Sequence, residues 1–316
     1  MAAVTPEVVS PVLADSEVVY MIVYVDDLGR ARAFYEDRLG MQVVEPEESS
    51  FKLDVGGVFL WLRRAADDGI ELGGGTDDSC DLVFLVEDAL AQRRVLEKRG
   101  IEIAHQRTYG VGRVVDFYDP DGHRLMIYEP SEHALNTPVA DQLRDAWRTS
   151  GRGAPGIIGP SALPAAADDA EAGIDGKPLV YFWLFIRDIE EGAYFFERQL
   201  GLRVLDRSHC CSDHCADDAP GVVKYDGGAV MLSTHHMHGH HSVVDDDGKP
   251  YAARDYDPRY AKGIAPVFRV DRLDEVVEAL RARGVAFRNG PLRTSSGVLA
   301  GFESPTGHLF YVYEPG

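Results

Sequence analysis

The chain has 316 residues, a formal net charge of −20, a pI of about 4.9 and 45% hydrophobic residues. That length holds two ordinary cores at roughly 100–200 residues each, while the negative charge opposes binding to phosphate backbones and anionic membranes. No signal-peptide layout opens the sequence and no apolar run approaches the roughly 20 residues that a bilayer requires, so a cytoplasmic protein with no nucleic-acid or membrane partner is expected.

In chain order, residues 1–16 read as a loose arm. Residues 17–25 alternate as a strand. Asp26-Asp27 then caps a helix whose Leu28, Ala31, Phe34, Tyr35 and Leu39 share one face, and Gly40 stands where a helix C-terminus favours glycine. Three short strands follow at 42–46, 51–55 and 58–63, the last two joined by Gly56-Gly57. This is one βαβββ unit. A Gly- and Asp-rich loop at 67–79 leads into a second, with a strand at 81–86, a helix at 88–99 ended by Gly100, and three strands within 101–128. The final hairpin turns at Asp119-Pro120-Asp121-Gly122, where proline presets φ and glycine is free to take positive φ. Residues 131–177 shift to Ala, Pro, Gly and Asp and read as a linker with one short helix at 139–148.

The plan then repeats. Phe195-Phe196 through Leu200-Gly201 restates Phe34-Tyr35 through Leu39-Gly40 at a distance of 161 residues, and Ser304-Pro305-Thr306-Gly307 restates the turn at a distance of 185. The second half, with units at about 179–242 and 264–315, is therefore 24 residues longer, inserted after Gly201.

Val25-Asp26-Asp27-Leu28, Phe34-Tyr35…Leu39-Gly40, Phe84-Leu85-Val86-Glu87-Asp88 and Asp119-Pro120-Asp121-Gly122 together resemble the vicinal oxygen chelate superfamily of glyoxalases, bleomycin-resistance proteins and extradiol dioxygenases. The resemblance implies an α+β fold with two tandem domains, 17–130 and 178–316. Each would hold two βαβββ units whose curled mixed sheet forms a cleft, where a divalent metal chelates vicinal substrate oxygens. The family's metal positions fall here on Tyr20 and Tyr181, on Asp81 and Ala265, and on Met126 and Tyr311. Only Asp81 can bind a metal as a carboxylate, and a hard cation needs two or three converging donors. Glu129 and Glu314 point to the opposite face.

On the face assigned to the clefts the first domain presents Tyr20, Ile22, Trp61, Asp81, Val83, Met126 and Tyr128. The second presents Tyr181, Trp183, Leu232, Thr234, Val267, Tyr311 and Tyr313. Such walls suit a flat, largely apolar organic ligand, with Tyr20, Trp61, Asp81, Met126, Tyr181, Trp183 and Tyr311 as its contacts. The alternative is that both clefts have closed and these are core residues.

The insertion carries His209-Cys210-Cys211 and His214-Cys215, and His235-His236-Met237-His238 follows the last strand of the third unit. Imidazole and thiolate are ligands for zinc first and copper second. A meander places the two clusters at one end of the sheet, so His209, Cys210, Cys215, His236 and His238 are the expected metal set. Strand parity, counted with Leu232 and Thr234 on the cleft face, turns His236 towards it. Two functions stay open: a binding or resistance protein that holds an aromatic metabolite without metal, and a metal-dependent oxygenase, lyase or isomerase with a rebuilt site. No nucleotide cofactor is expected, and monomer and homodimer are equally open.

Overall fold

Asp27, Asp88 and Asp188 open three helices in one manner, each carboxylate accepting backbone N–H groups of the first turn: Arg30 at 2.7 Å, Ala91 at 2.8 Å, and both Glu190 at 2.8 Å and Glu191 at 3.0 Å. The helices of the first and third units also share a widened last turn at their aromatic pairs. Leu39 N–H bonds Phe34 C=O and Leu200 N–H bonds Phe195 C=O, each at 2.9 Å and five residues back. This local identity, in a computed structural model that describes residues 11–47, 49–73, 79–149, 173–208, 221–236, 243–251, 262–288 and 290–316, shows that the sequence repeat is a structural one.

Four βαβββ units are present. The first has β1 (Val18–Val25), α1 (Leu28–Arg32), β2 (Val43–Pro46), β3 (Ser50–Asp54) and β4 (Phe59–Arg64); the second has β5 (Cys80–Leu85), α2 (Ala89–Lys98), β6 (Ile103–Tyr109), β7 (Gly112–Tyr118) and β8 (Arg124–Pro130). After them comes α3 (Ala140–Thr149). The third unit has β9 (Leu179–Ile186), α4 (Ile189–Ala193), β10 (Val204–Ser208), β11 (Val222–Gly227) and β12 (Val230–His236), followed by a small hairpin of β13 (Val243–Val244) and β14 (Pro250–Tyr251). The fourth has β15 (Ile264–Arg269), α5 (Leu273–Ala282), β16 (Leu292–Thr294), β17 (Gly297–Glu303) and β18 (Leu309–Pro315).

The units pair crosswise. Sheet I runs β16-β17-β18-β15-β1-β4-β3-β2 and sheet II runs β10-β11-β12-β9-β5-β8-β7-β6. The first unit thus joins the fourth through the antiparallel β1–β15 pair, and the second joins the third through β5–β9. Residues 17–130 and 178–316 each give one unit to both sheets, so the clefts drawn from sequence are regrouped: Tyr20 and Trp61 face Tyr311 and Tyr313, while Asp81 and Met126 face Tyr181 and Trp183. The helices and the convex faces of both sheets share one core, to which Phe34, Tyr35, Phe195 and Phe196 belong. Two buried histidines tie one sheet to the other. His123 of the second unit meets Tyr24 C=O at 2.7 Å and its counterpart His308 meets Ser79 C=O at 3.0 Å.

The segment expected as a linker starts with structure. In α3, Leu143, Ala146 and Trp147 are buried against Val83, Met126 and Tyr181, so this helix lies in the concave side of sheet II.

Candidate functional site

Sheet II encloses a cavity of about 490 Å³ lined by Tyr109, Val114, Tyr128, Tyr181, Trp183, Ser233 and His235 from the sheet, by Ala134, Thr137 and Val139 from the segment after β8, and by Asp206, Arg207 and Lys224 at the rim. The rings form a connected wall. His235 lies 4.8 Å from Trp183, Trp183 6.4 Å from Tyr181, and Tyr181 6.1 Å from Tyr128, centroid to centroid. Tyr128 donates its hydroxyl to Val111 C=O at 2.7 Å, which fixes its ring. Burial, then the neighbouring Tyr128 and Asp206, push the Tyr181 phenol well above its ordinary pKa, so it offers a neutral ring and hydroxyl. Two of the polar groupings in the lining are Lys224 on Asp206 at 2.9 Å and Ser233 Oγ with His235 Nε2 at 3.1 Å.

Ser233 and His235, rather than Leu232, Thr234 and His236, face this cavity. The register pairs Met231, Ser233 and His235 of β12 with Tyr181, Trp183 and Phe185 of β9, and Leu232 belongs to the convex core. The turn before β12 differs by one residue from its counterpart before β4. In the first unit Val55 N–H bonds Val58 C=O around Gly56-Gly57, both at positive φ; in the third, Gly227 pairs with Val230 around Gly228-Ala229, with positive φ at Gly228 alone. Matching Gly56-Gly57 to Gly227-Gly228 shifts the strand by one residue, and a one-residue shift exchanges its faces. His236 therefore stands on the face away from the cavity. Of the remaining expected metal ligands, His209, Cys210, Cys215 and His238 lie outside the described residues.

Asp81, opposite Trp183 on the same face of sheet II but outside the cavity lining, is fully buried and takes a two-pronged ion pair from Arg124: Nε to Oδ1 at 2.5 Å and Nη2 to Oδ2 at 2.7 Å. The sequence reading missed Arg124. The signal was a charged residue on the cleft side of β8, two residues before Met126. Arg107 and Asp116 form a second buried pair on β6 and β7.

On the concave side of sheet I the described residues pack ring against ring around Trp61, and a cavity of about 590 Å³ lies beside this cluster, lined by Asp26, Arg30, Ala65, Ile70, Leu72 and the 118–122 turn. Trp61 is fully buried there, its ring 5.3 Å from Tyr20 and its Nε1–H donating to Ser50 Oγ at 3.0 Å. Tyr20 meets Tyr313 at 5.4 Å, and Tyr24 and Tyr311 share a hydroxyl hydrogen bond of 2.7 Å. The Lys52 ammonium lies 4.8 Å from the Trp61 ring centre and 5.1 Å from that of Tyr20, bonded to Glu45 at 2.6 Å and to Ser296 Oγ at 3.1 Å. Lys52–Ser296, with Glu47 and Ser295 at 3.1 Å, joins the two edges of the sheet. Tyr20, Trp61 and Tyr311 are thus brought together, but against one another.

The donor chemistry at the positions that the resemblance assigns to metal ligands does not fit a divalent ion. In sheet II they hold Met126, Tyr181 and an Asp81 already neutralised by Arg124; in sheet I they hold Tyr20, Ala265 and Tyr311. Among the described residues no three His, Cys, Asp or Glu side chains converge.

The Glyoxalase/Bleomycin resistance protein/Dioxygenase superfamily profile matches residues 17–127 and 179–312, so the chain belongs to that superfamily. Among solved structures it is similar to glyoxalase I from Zea mays, with 14% identity, a TM-score of 0.56, and coverage of 95% of this chain and 92% of that one. It is also similar to a putative dioxygenase from Bacillus subtilis subsp. subtilis str. 168, with 13% identity, a TM-score of 0.52, and coverage of 95% and 85%. At these identities the likeness shows the fold alone. No curated protein matches the chain significantly in sequence. No helix among the described residues is long and apolar enough to cross a membrane.

Proposed function

We propose that the protein is a binding protein of the resistance type, which sequesters a small aromatic molecule in the cleft of sheet II without a metal at the inherited positions. The observation that carries this reading is the 490 Å³ cavity with its wall of Tyr128, Tyr181, Trp183 and His235. Its size and its aromatic wall suit a drug-sized ligand, and the positions that the resemblance assigns to metal ligands hold Met126, the Tyr181 phenol and an Asp81 ion-paired with Arg124. Stacking supplies the affinity, and Ser233, His235 and Lys224 supply orientation. The test is equilibrium dialysis of a mixed panel of small aromatic compounds against wild type and Ser233→Trp. Retention by wild type and loss on filling the cavity are expected; retention unchanged in Ser233→Trp places the ligand elsewhere and overturns the reading.

The second reading is a zinc- or copper-dependent oxygenase, lyase or isomerase. It rests on the ligand-type residues His209, Cys210, Cys215, His236 and His238. His236 faces away from the cavity, so such a centre would serve this cleft only through the other four. Metal analysis of tag-free protein tests it, with about one bound ion per chain expected on that reading.

A further inference from the structure

The two clefts are built on equivalent residues, and the closed one holds a ring where the open one holds space. Tyr20 and Tyr181 correspond, as do Tyr313 and Tyr128, whose hydroxyls donate to the equivalent carbonyls of Ser296 at 2.6 Å and Val111 at 2.7 Å. The strand registers pair Lys52 with Trp61 and Lys224 with Ser233, so the two lysines correspond as well. Each lysine is held by a carboxylate at equivalent positions of β2 and β10, Lys52 by Glu45 at 2.6 Å and Lys224 by Asp206 at 2.9 Å. The neighbour of the lysine differs, Trp61 in sheet I and Ser233 in sheet II, and so do the flanking positions, Ile22 and Arg63 against Trp183 and His235. The indole of Trp61 lies beneath the Lys52 ammonium and beside Tyr20, with its polar edge hydrogen-bonded to a serine hydroxyl. Sheet I therefore contains a bound fused-ring aromatic supplied by the chain itself.

We propose that the cleft of sheet II takes a planar, fused-ring aromatic alcohol, uncharged or anionic, whose ring lies under Lys224 and against Tyr181 as the Trp61 ring lies under Lys52 and against Tyr20. Its hydroxyl meets the Ser233–His235 pair. This inference rests on the binding reading above and narrows it to a ligand class. Trp183 and His235 add a second ring pair to the wall, 4.8 Å apart and tilted by 43°. An ammonium above the ring face favours an electron-rich π system and repels a cationic one.

The experiment is calorimetric titration of the full chain with three probes: 2-naphthol, decahydro-2-naphthol, which keeps the hydroxyl but lacks the π system, and N-methylquinolinium. Saturable binding of 2-naphthol at one site, at least tenfold tighter than either other probe, is expected. Lys224→Gln should weaken 2-naphthol by about five- to thirtyfold, the range of a desolvated cation–π contact, and leave decahydro-2-naphthol unchanged; circular dichroism shows whether the variant is folded. If Lys224→Gln does not fold, Lys224→Arg, which keeps the cation, must retain the preference for 2-naphthol over decahydro-2-naphthol. Equal binding of 2-naphthol and decahydro-2-naphthol, preference for the cation, or no binding of 2-naphthol each overturns the ligand class. In any of these cases the broader reading still stands or falls separately, on whether a dialysis hit is lost in Ser233→Trp.

Discussion

Sheet I and sheet II have equivalent strand orders and the same tyrosine, lysine and carboxylate frame, yet in one the Trp61 ring lies where the other has a cavity. A few substitutions account for the difference. Trp61 fills the space that Ser233 leaves, and Lys52 and Glu47 reach Ser296 and Ser295 across the mouth of sheet I. Sheet II has Gly110 and Val111 at that mouth, as part of the cavity lining. The frame is shared and its contents differ at several places: Trp61 against Ser233, Ile22 against Trp183, and α3 packed on sheet II.

The largest expected effect comes from reopening sheet I. Trp61→Ser removes a fully buried ring, the stacking surface of Lys52 and the partner of Ser50, and should cost about 4–5 kcal/mol in denaturant unfolding. A cost under about 1 kcal/mol would mean that Trp61 is not what holds the cleft closed.

The floors give the next contrast. Sheet II has Asp81 and Arg124 where sheet I has Ala265 and Leu309. Asp81→Ala alone strands a buried guanidinium and should destabilise by about 3–4 kcal/mol, whereas Asp81→Ala with Arg124→Leu copies the other floor and should recover most of that loss. Equal losses in the single and double variants would show that the pair is not the reason for the cost.

His308 sharpens the comparison of the inter-sheet ties through pH. Burial lowers its pKa from 6.5 to about 4, so the unfolded chain takes up the proton first. Its contribution is whole above pH 6.5 and is lost as pH falls towards 4, by about 3 kcal/mol in total. Urea unfolding measured from pH 7 to pH 4 should show this decline, and His308→Gln should flatten it. An unchanged slope in the variant would assign the acid sensitivity elsewhere.

Much of this was legible in the sequence. The turns at Asp119-Pro120-Asp121-Gly122 and Ser304-Pro305-Thr306-Gly307, the caps at Asp27 and Asp88, and the repeat of Phe34-Tyr35 at Phe195-Phe196 depend on local chemistry, and local chemistry carries over to the fold. The crossed pairing of units did not show, because β1–β15 and β5–β9 meet through backbone edges that any of the four units offers. The face of β12 was lost to a glycine doublet that marks different turn positions in the two copies. The docking of α3 was hidden because its burial depends on a concave surface made by residues 83–181, which no window around the helix contains. Nor did the order of the inherited metal positions reveal that Asp81 is claimed by Arg124.

The smallest effect concerns the far edge of sheet II. The 243–251 hairpin is fastened to β6 by Asp245 on His105 at 3.0 Å, by Asp246 N–H on Gln106 C=O at 2.9 Å and by Thr108 Oγ1 on Asp246 at 2.7 Å. Sheet I has no such clasp among the described residues. His105→Ala should cost about 1 kcal/mol in global stability while increasing amide exchange at Gln106 and Thr108; unchanged exchange there would show that the hairpin is held without His105.

The comparison of an open and a closed cleft is tested most directly by fluorine NMR of the intact chain labelled with 5-fluorotryptophan. Its three tryptophans give three signals, assigned with Trp183→Phe and Trp147→Phe. Titration with 2-naphthol, or with a hit from the dialysis panel, should move the Trp183 signal saturably and leave Trp61 in place. A ligand that moves Trp61 while Trp183 stays fixed would contradict the account and put the working cleft in sheet I.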